Sequence, residues 1–163
     1  MEGSKAYHGL EYQAAVTPGV RFVGMTQHSY NVEDTERIAG DLARTLRGGE
    51  CIALHGDLGA GKTQFTRGLV KALGGDGRAV ASPTFVLLHV YPTKSLTVYH
   101  LDAYRVHGIE DFEQIGFEEL LDQGGVVVVE WASRVSEIIP KAHVDVTIEA
   151  TEENERLIRV TFV

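Results

Sequence analysis

Several features of secreted and membrane proteins are missing from this sequence. Its 163 residues contain a single cysteine, Cys51, so no intramolecular disulfide forms, and a lone thiol in an apolar stretch is typical of a buried side chain in a reducing compartment. No apolar run reaches the roughly 20 residues that span a bilayer, and the first residues, MEGSKAYHGLEYQ, lack the apolar core of a signal peptide. We expect a cytoplasmic protein without membrane contacts, with residues 1–20 as a flexible tail and 21–163 as a single domain.

Positive charge is also scarce. The chain carries 15 Lys and Arg residues against 23 Asp and Glu residues, a formal net charge of −8. A protein that binds nucleic acid by phosphate neutralisation needs clustered cations. If this protein acts in a process that involves nucleic acid, we expect a partner to hold that nucleic acid. The hydrophobic content of 44% predicts a globular fold with a substantial core.

One glycine-rich stretch, HGDLGAGKT, carries the main chemical signal. Residues 56–63 match G-x-x-x-x-G-K-[ST], the pattern of a phosphate-binding loop. The apolar run Glu50–Leu54 before it predicts a strand, and the spacing of Phe65, Leu69 and Leu73 predicts a helix after it. In this setting backbone N–H groups and the helix N-terminus bind phosphate oxygens, Lys62 reaches the β- and γ-phosphates, and Thr63 binds Mg²⁺. The predicted nucleotide-binding residues of the loop are Leu58, Gly59, Ala60, Gly61, Lys62 and Thr63.

Two carboxylates end predicted strands and are candidates for the metal site. Asp102 ends LTVYHLD, and Glu130 ends the β-branched run VVVVE. Either one could hold Mg²⁺ or orient an attacking water, and the residues alone do not distinguish them. His100 and His107 lack a second His or Cys at metal-ligand spacing, which favours non-metal roles.

The segment SPTF, Ser82–Phe85, follows a polar connection. Thr84 could sense a γ-phosphate, as a switch threonine does. Pro83 equally predicts a plain turn, because it fixes its own backbone and extends Ser82. Spacing alone leaves both interpretations open.

The remaining pattern predicts an α/β fold, a mostly parallel sheet with helices on both faces plus an antiparallel hairpin and antiparallel C-terminal strands. A helix is predicted over Val32–Arg47, capped by Asn31 or Ser29, and one acidic helix over 109–125. The strand VVVVEW suits burial on both faces, and Trp131 within it is more typical of a core or interface aromatic than of a base-stacking platform. The predicted strands are Val20–Thr26, Glu50–Leu54, the two arms around PTKS, Val126–Trp131, and the pair around TEENE.

Taken together, HGDLGAGKT, SPTF, YHLDAYR and VVVVEW resemble the TsaE family in their order and intervals, over roughly Tyr30 to Val163. The resemblance implies an ATPase of bacterial tRNA threonylcarbamoyladenosine modification. It implies that Thr63 and Glu130 hold Mg²⁺, that Asp102 lies at the nucleotide site, and that Ser82–Phe85 is a switch. The catalytic residues would then be Lys62, Asp102 and Glu130.

The same resemblance implies that the nucleotide base lies near Val32 and that the cofactors are ATP and Mg²⁺. It implies TsaD and TsaB as protein partners, with tRNA contacted only indirectly through their complex. It also implies that ATP hydrolysis resets that complex.

Two other functions fit a phosphate-binding loop. A small-molecule kinase usually carries an Arg-rich mobile lid, and after VVVVEW Arg134 stands nearly alone. A GTP-dependent switch would need an N-K-x-D-type segment, which the sequence lacks. ATP turnover without an acceptor distinguishes the ATPase from the kinase.

Overall fold

A seven-stranded sheet organises the part of the chain that this computed structural model describes, residues 24–163. The predicted tail and residues 20–23 of the first predicted strand lie outside it. The strands are β1 (Met25–Ser29), β2 (Cys51–His55), β3 (Leu88–Tyr91), β4 (Val98–Asp102), β5 (Val126–Glu130), β6 (Val144–Ala150) and β7 (Arg156–Phe162). The helices are α1 (Val32–Ala43), α2 (Lys62–Ala72), α3 (Glu110–Gln114) and α4 (Phe117–Asp122).

The strand order is β1-β7-β6-β2-β5-β4-β3. The four central strands, β6, β2, β5 and β4, run parallel, whereas β3, β7 and β1 pair antiparallel at the two edges. The α/β prediction is therefore confirmed, as are the hairpin and the antiparallel C-terminal pair. The parallel part forms the centre of a mixed sheet, and the carboxyl ends of β2, β4 and β5 meet at one edge.

Helices cover both faces of the sheet. All five residues of β5 are buried, and its four valines alternate between two apolar clusters. Val126 and Val128 face the cluster that contains the apolar sides of α1 and α2, and Val127 and Val129 face the cluster of α3 and α4. Two-sided burial explains the uninterrupted β-branched run in the sequence. Cys51 belongs to the second cluster, is buried as predicted, and has its pKa raised to about 12 by burial.

Two helix predictions need correction. The first helix ends at Ala43 rather than Arg47, because the Thr45 hydroxyl and N–H both donate to the Leu42 carbonyl and tighten the chain into a turn. Its N-cap is Asn31, whose side chain accepts a hydrogen bond from Asp34 N at 2.7 Å.

The acidic segment predicted as one helix is two short helices. Gly116 stands between α3 and α4 with φ 77°, a left-handed conformation that interrupts a continuous helix. The break lets Phe112 and Phe117 pack together at a centroid distance of 5.6 Å with their ring planes tilted by 40°, and both rings are buried.

Candidate functional site

The loop between β2 and α2 has the backbone of a phosphate cradle. Gly59 and Gly61 have φ values of 78° and 110°, and a Cβ at either position would point into open space. These glycines are therefore required by backbone conformation and not by crowding. Gly61 directly precedes Lys62, the first residue of α2, so the free N–H groups at the N-terminus of that helix lie at the end of the loop.

Lys62 is drawn back into the loop. Its Nζ donates to the carbonyls of Gly56 at 2.5 Å and Asp57 at 3.0 Å, and lies 4.3 Å from the centre of the Trp131 ring. Only 6% of the residue is exposed, and burial lowers the pKa of its ammonium group, against the opposing effect of nearby carboxylates, Glu130 foremost. Beyond the predicted role of Trp131 as a core or interface aromatic, its partly buried ring also supports the loop lysine.

The two candidate carboxylates lie side by side at the carboxyl edge of the sheet. Asp102 and Glu130 are register partners in the parallel pair β4 and β5, and both are buried. Glu130 Oε1 lies 3.4 Å from the Thr63 hydroxyl and 2.9 Å from His100 Nε2. The structure therefore brings together the two residues predicted to hold the metal.

Asp102 has different neighbours. Its Oδ2 accepts hydrogen bonds from Ser82 Oγ at 3.1 Å and Thr84 Oγ1 at 2.8 Å, and its Oδ1 accepts one from Tyr104 N at 2.8 Å. The SPTF segment is thus tied to the second carboxylate. Beyond it, Leu87 has φ 69° and its N–H donates to the Pro83 carbonyl at 2.7 Å, so the segment is also a turn.

Three of the predicted site residues are large apolar side chains that are exposed. Phe85 is 82% exposed and lies under the guanidinium of Arg105, with Cζ 4.4 Å from the ring centre. Leu58, at the tip of the loop, is 71% exposed. Val32 is the first residue of α1 and is half-exposed, and its contact with a nucleotide base stays a prediction.

Sequence reasoning missed Arg156, which braces the loop from β7. Its Nε donates to the Ala60 carbonyl at 2.8 Å, and Nη2 donates to the Gly59 carbonyl at 3.3 Å. A peptide group is planar, so fixing the Ala60 carbonyl toward Arg156 aims the N–H of Gly61 the opposite way. Because Arg156 lies 96 residues beyond Ala60, no local pattern reveals this contact.

His100 is the second missed residue. It is completely buried between Glu130 and Tyr91, and its Nδ1 lies 3.3 Å from the Tyr91 hydroxyl. The signal available in the sequence was its position two residues before Asp102, on the same face of β4.

The residues present fit a magnesium–nucleotide complex. A hydroxyl and a carboxylate oxygen are hard ligands of the kind Mg²⁺ takes, and this ion commonly uses one or two protein ligands with phosphate oxygens and water. Residues 24–163 contain no group of three or more His, Cys, Asp or Glu side chains that could cage a metal by themselves. Thr63 and Glu130 would hold the ion together with the bound phosphates.

Comparisons with known proteins identify the family of the chain. Residues 29–158 match the family model described as threonylcarbamoyl adenosine biosynthesis protein TsaE. The chain belongs to the TsaE family.

Similar proteins cover most of the chain. A protein of Rickettsia felis named tRNA threonylcarbamoyladenosine biosynthesis protein TsaE is 39% identical, over 78% of this chain and 74% of its own length. The protein of the same name from Bacillus subtilis is 38% identical, over 82% of each chain. The crystal structure of Bacillus subtilis YdiB matches with a TM-score of 0.71 and 31% identity, over 88% of this chain and 89% of that one. No helix within residues 24–163 combines the length and apolarity that crossing a membrane requires.

Proposed function

We propose that this TsaE-family chain binds and slowly hydrolyses Mg-ATP and acts on a complex of TsaD and TsaB as a nucleotide-driven switch in tRNA threonylcarbamoyladenosine modification. The observation that carries the proposal is the convergence of Lys62, Thr63 and Glu130 at the glycine loop. In this arrangement the loop and Lys62 bind phosphate oxygens, while Thr63 and Glu130 hold the ion that neutralises developing charge. The tRNA stays on the partner proteins, which suits the acidic chain.

Binding and hydrolysis are expected to make different demands on this site. The Lys62 ammonium already rests on two loop carbonyls, so a phosphate group replaces contacts that the free protein makes internally. The hydroxyls of Ser82 and Thr84 donate hydrogen bonds to Asp102, so the switch segment is bound to a carboxylate beside the proposed metal site. We propose that release of these hydroxyls toward the γ-phosphate accompanies turnover.

The arginines near the site favour stimulation by a partner. Arg67 donates to the carbonyls of Gly77 at 2.9 Å and Val80 at 2.8 Å, so its guanidinium is committed to the connection after α2. Arg105 lies over Phe85 on the exposed side of the switch segment. An arginine brought to the γ-phosphate by a partner is worth about 10³–10⁵ in rate, and its addition would explain a slow free enzyme and a faster complex.

The test measures phosphate release from ATP by the chain alone and with saturating TsaD–TsaB complex, in the absence of any acceptor. We expect slow release alone and a marked increase in the complex. Lys62→Ala should lose nucleotide binding or turnover, with unchanged circular dichroism. Equal rates with and without the partner complex would remove the switch mechanism, and acceptor-dependent phosphate transfer would establish the kinase alternative.

A further inference from the structure

A chain of hydrogen-bonding groups runs through the interior from the switch segment to the predicted metal carboxylate. It starts at Ala81, the residue before Ser82, and passes through Tyr91 on β3 and His100 on β4 to Glu130 on β5. The successive separations are 3.2 Å from Ala81 N to Tyr91 Oη, 3.3 Å from Tyr91 Oη to His100 Nδ1, and 2.9 Å from His100 Nε2 to Glu130 Oε1. Tyr91, His100 and Glu130 are all buried, so water does not substitute for these contacts.

The direction of these bonds follows from the chemistry of their ends. A carboxylate only accepts hydrogen bonds, so His100 Nε2 donates the hydrogen bond to Glu130 Oε1. In the neutral ring Nδ1 is then an acceptor, and the Tyr91 hydroxyl donates to it. Burial raises the pKa of the Tyr91 phenol, so this hydroxyl keeps its proton at neutral pH.

Other groups around Tyr91 also lie within hydrogen-bonding distance of its hydroxyl. His89 Nδ1 lies 3.1 Å from both the Ala81 carbonyl and Tyr91 Oη, so an Nδ1–H of His89 can donate to that carbonyl, and Ala81 N–H donates to the phenol oxygen. With this assignment every link from Ala81 to Glu130 has one donor and one acceptor. The phenol proton has a competing acceptor, because the Ala81 carbonyl is 2.9 Å from Tyr91 Oη. A shift of Ala81 therefore changes whether the Tyr91 hydroxyl donates to the Ala81 carbonyl or to His100 Nδ1. This choice decides whether Tyr91 holds the His100 ring in place.

We infer that Tyr91 and His100 are positioning residues that hold the Glu130 carboxylate for the metal and couple its orientation to the backbone at the start of the switch segment. This inference rests on the proposed Mg-ATP function. Outer partners of metal ligands fix ligand orientation, and their loss typically costs about 10–100-fold in metal affinity or activity. Movement of Ser82–Phe85 would then reach the metal site through residue 81 as well as through Asp102.

The first measurement needs no variant and no nucleotide. Nitrogen NMR of protein labelled with ¹⁵N-histidine reports which ring nitrogen of His100 carries the proton. We expect the Nε2–H tautomer, with Nδ1 unprotonated and shifted by a hydrogen bond. An Nδ1–H tautomer or a doubly protonated ring would overturn the assignment.

The second measurement compares Tyr91→Phe with Tyr99→Phe. Tyr99 is on β4 next to His100, but its hydroxyl donates to Gln123 Oε1 at 2.7 Å, away from the chain of buried groups. Binding of a fluorescent ATP analogue is followed without metal and across a Mg²⁺ titration. For Tyr91→Phe we expect unchanged binding without metal and about a tenfold rise in the Mg²⁺ concentration at half-saturation. Tyr99→Phe should match the wild type.

A Tyr91→Phe titration that superimposes on that of the wild type would overturn the inference while leaving the proposed function in place. A wild-type protein that binds no nucleotide would refute both. Steady-state kinetics add a readout that a general loss of packing would not give. For Tyr91→Phe, the Mg²⁺ concentration that gives half-maximal activity should rise, whereas the KM for ATP at saturating Mg²⁺ should be unchanged.

Discussion

Removing the Arg156 side chain should loosen the phosphate-binding loop without unfolding the sheet. Its strongest contact with the loop is the partly buried hydrogen bond from Nε to the Ala60 carbonyl at 2.8 Å. Hydrogen bonds that involve a charged group contribute about 1.5–3 kcal/mol, and we take the lower end because the guanidinium is partly exposed. Since 1.4 kcal/mol corresponds to tenfold, Arg156→Ala should weaken ATP binding by about tenfold.

Two matched variants distinguish the hydrogen bonds that Arg156 makes to the loop from the effect of its positive charge. Arg159→Ala removes another cation from β7, one that pairs with Glu149 at 3.2 Å and does not touch the loop. Arg156→Lys keeps the charge but loses the planar fork that reaches two carbonyls. We expect the Lys variant to bind ATP nearly as weakly as the Ala variant and Arg159→Ala to bind almost normally.

The assay is equilibrium titration with a fluorescent ATP analogue, with melting temperatures measured in parallel. If Arg156→Lys binds like the wild type, the charge alone matters and the bracing account is wrong. If Arg156→Ala itself binds within twofold of the wild type, the loop keeps its conformation without this contact.

Three further outcomes are expected. Glu130→Ala should reduce the metal dependence of ATP binding, whereas Asp102→Ala should reduce turnover more than binding; identical profiles in titration and phosphate-release assays would contradict this division. Gly68→Ala should lower the free energy of unfolding by about 1–3 kcal/mol in a urea titration, because the added Cβ would come within 2.6 Å of backbone atoms of α1. In the control Gly40→Ala, the added Cβ meets its nearest atom at an ordinary 3.5 Å, so this variant should be neutral or stabilising. Cys51 should resist iodoacetamide at pH 8 in the folded protein and react after denaturation, since burial raises its pKa to about 12; rapid native labelling, followed by mass spectrometry, would refute its burial.

Local chemistry explains which parts of this fold could be predicted. The strand, loop and helix around Lys62 were predictable because the glycine positions, the apolar strand and the helical period lie within 24 residues. The C-terminal hairpin was predictable because alternation and a polar turn determine it. The left-handed Gly116 was harder to foresee, because a glycine inside an acidic helical pattern is often tolerated.

The contacts that complete the site come from distant parts of the chain. Tyr91, His100 and Glu130 are on three neighbouring strands, and their hydrogen bonds depend on register across the sheet. Arg156 reaches the loop from the last strand of the sheet in sequence order. Such contacts follow from strand order, which no single segment of the sequence specifies.

The order of the strands also has a consequence for synthesis on the ribosome. The strand that leads into the phosphate loop, β2, acquires its two neighbours only when residues 126–130 and 144–150 have been made. β1, the first described strand to emerge, pairs only with the last one, β7. Until residues 144–163 leave the exit tunnel, both edges of β1 and one edge of β2 stay unpaired. A nascent chain that stalls before residue 156 therefore displays open strand edges, which chaperones bind and which aggregate readily, so the sheet around the candidate site is completed only after β6 and β7 have been made.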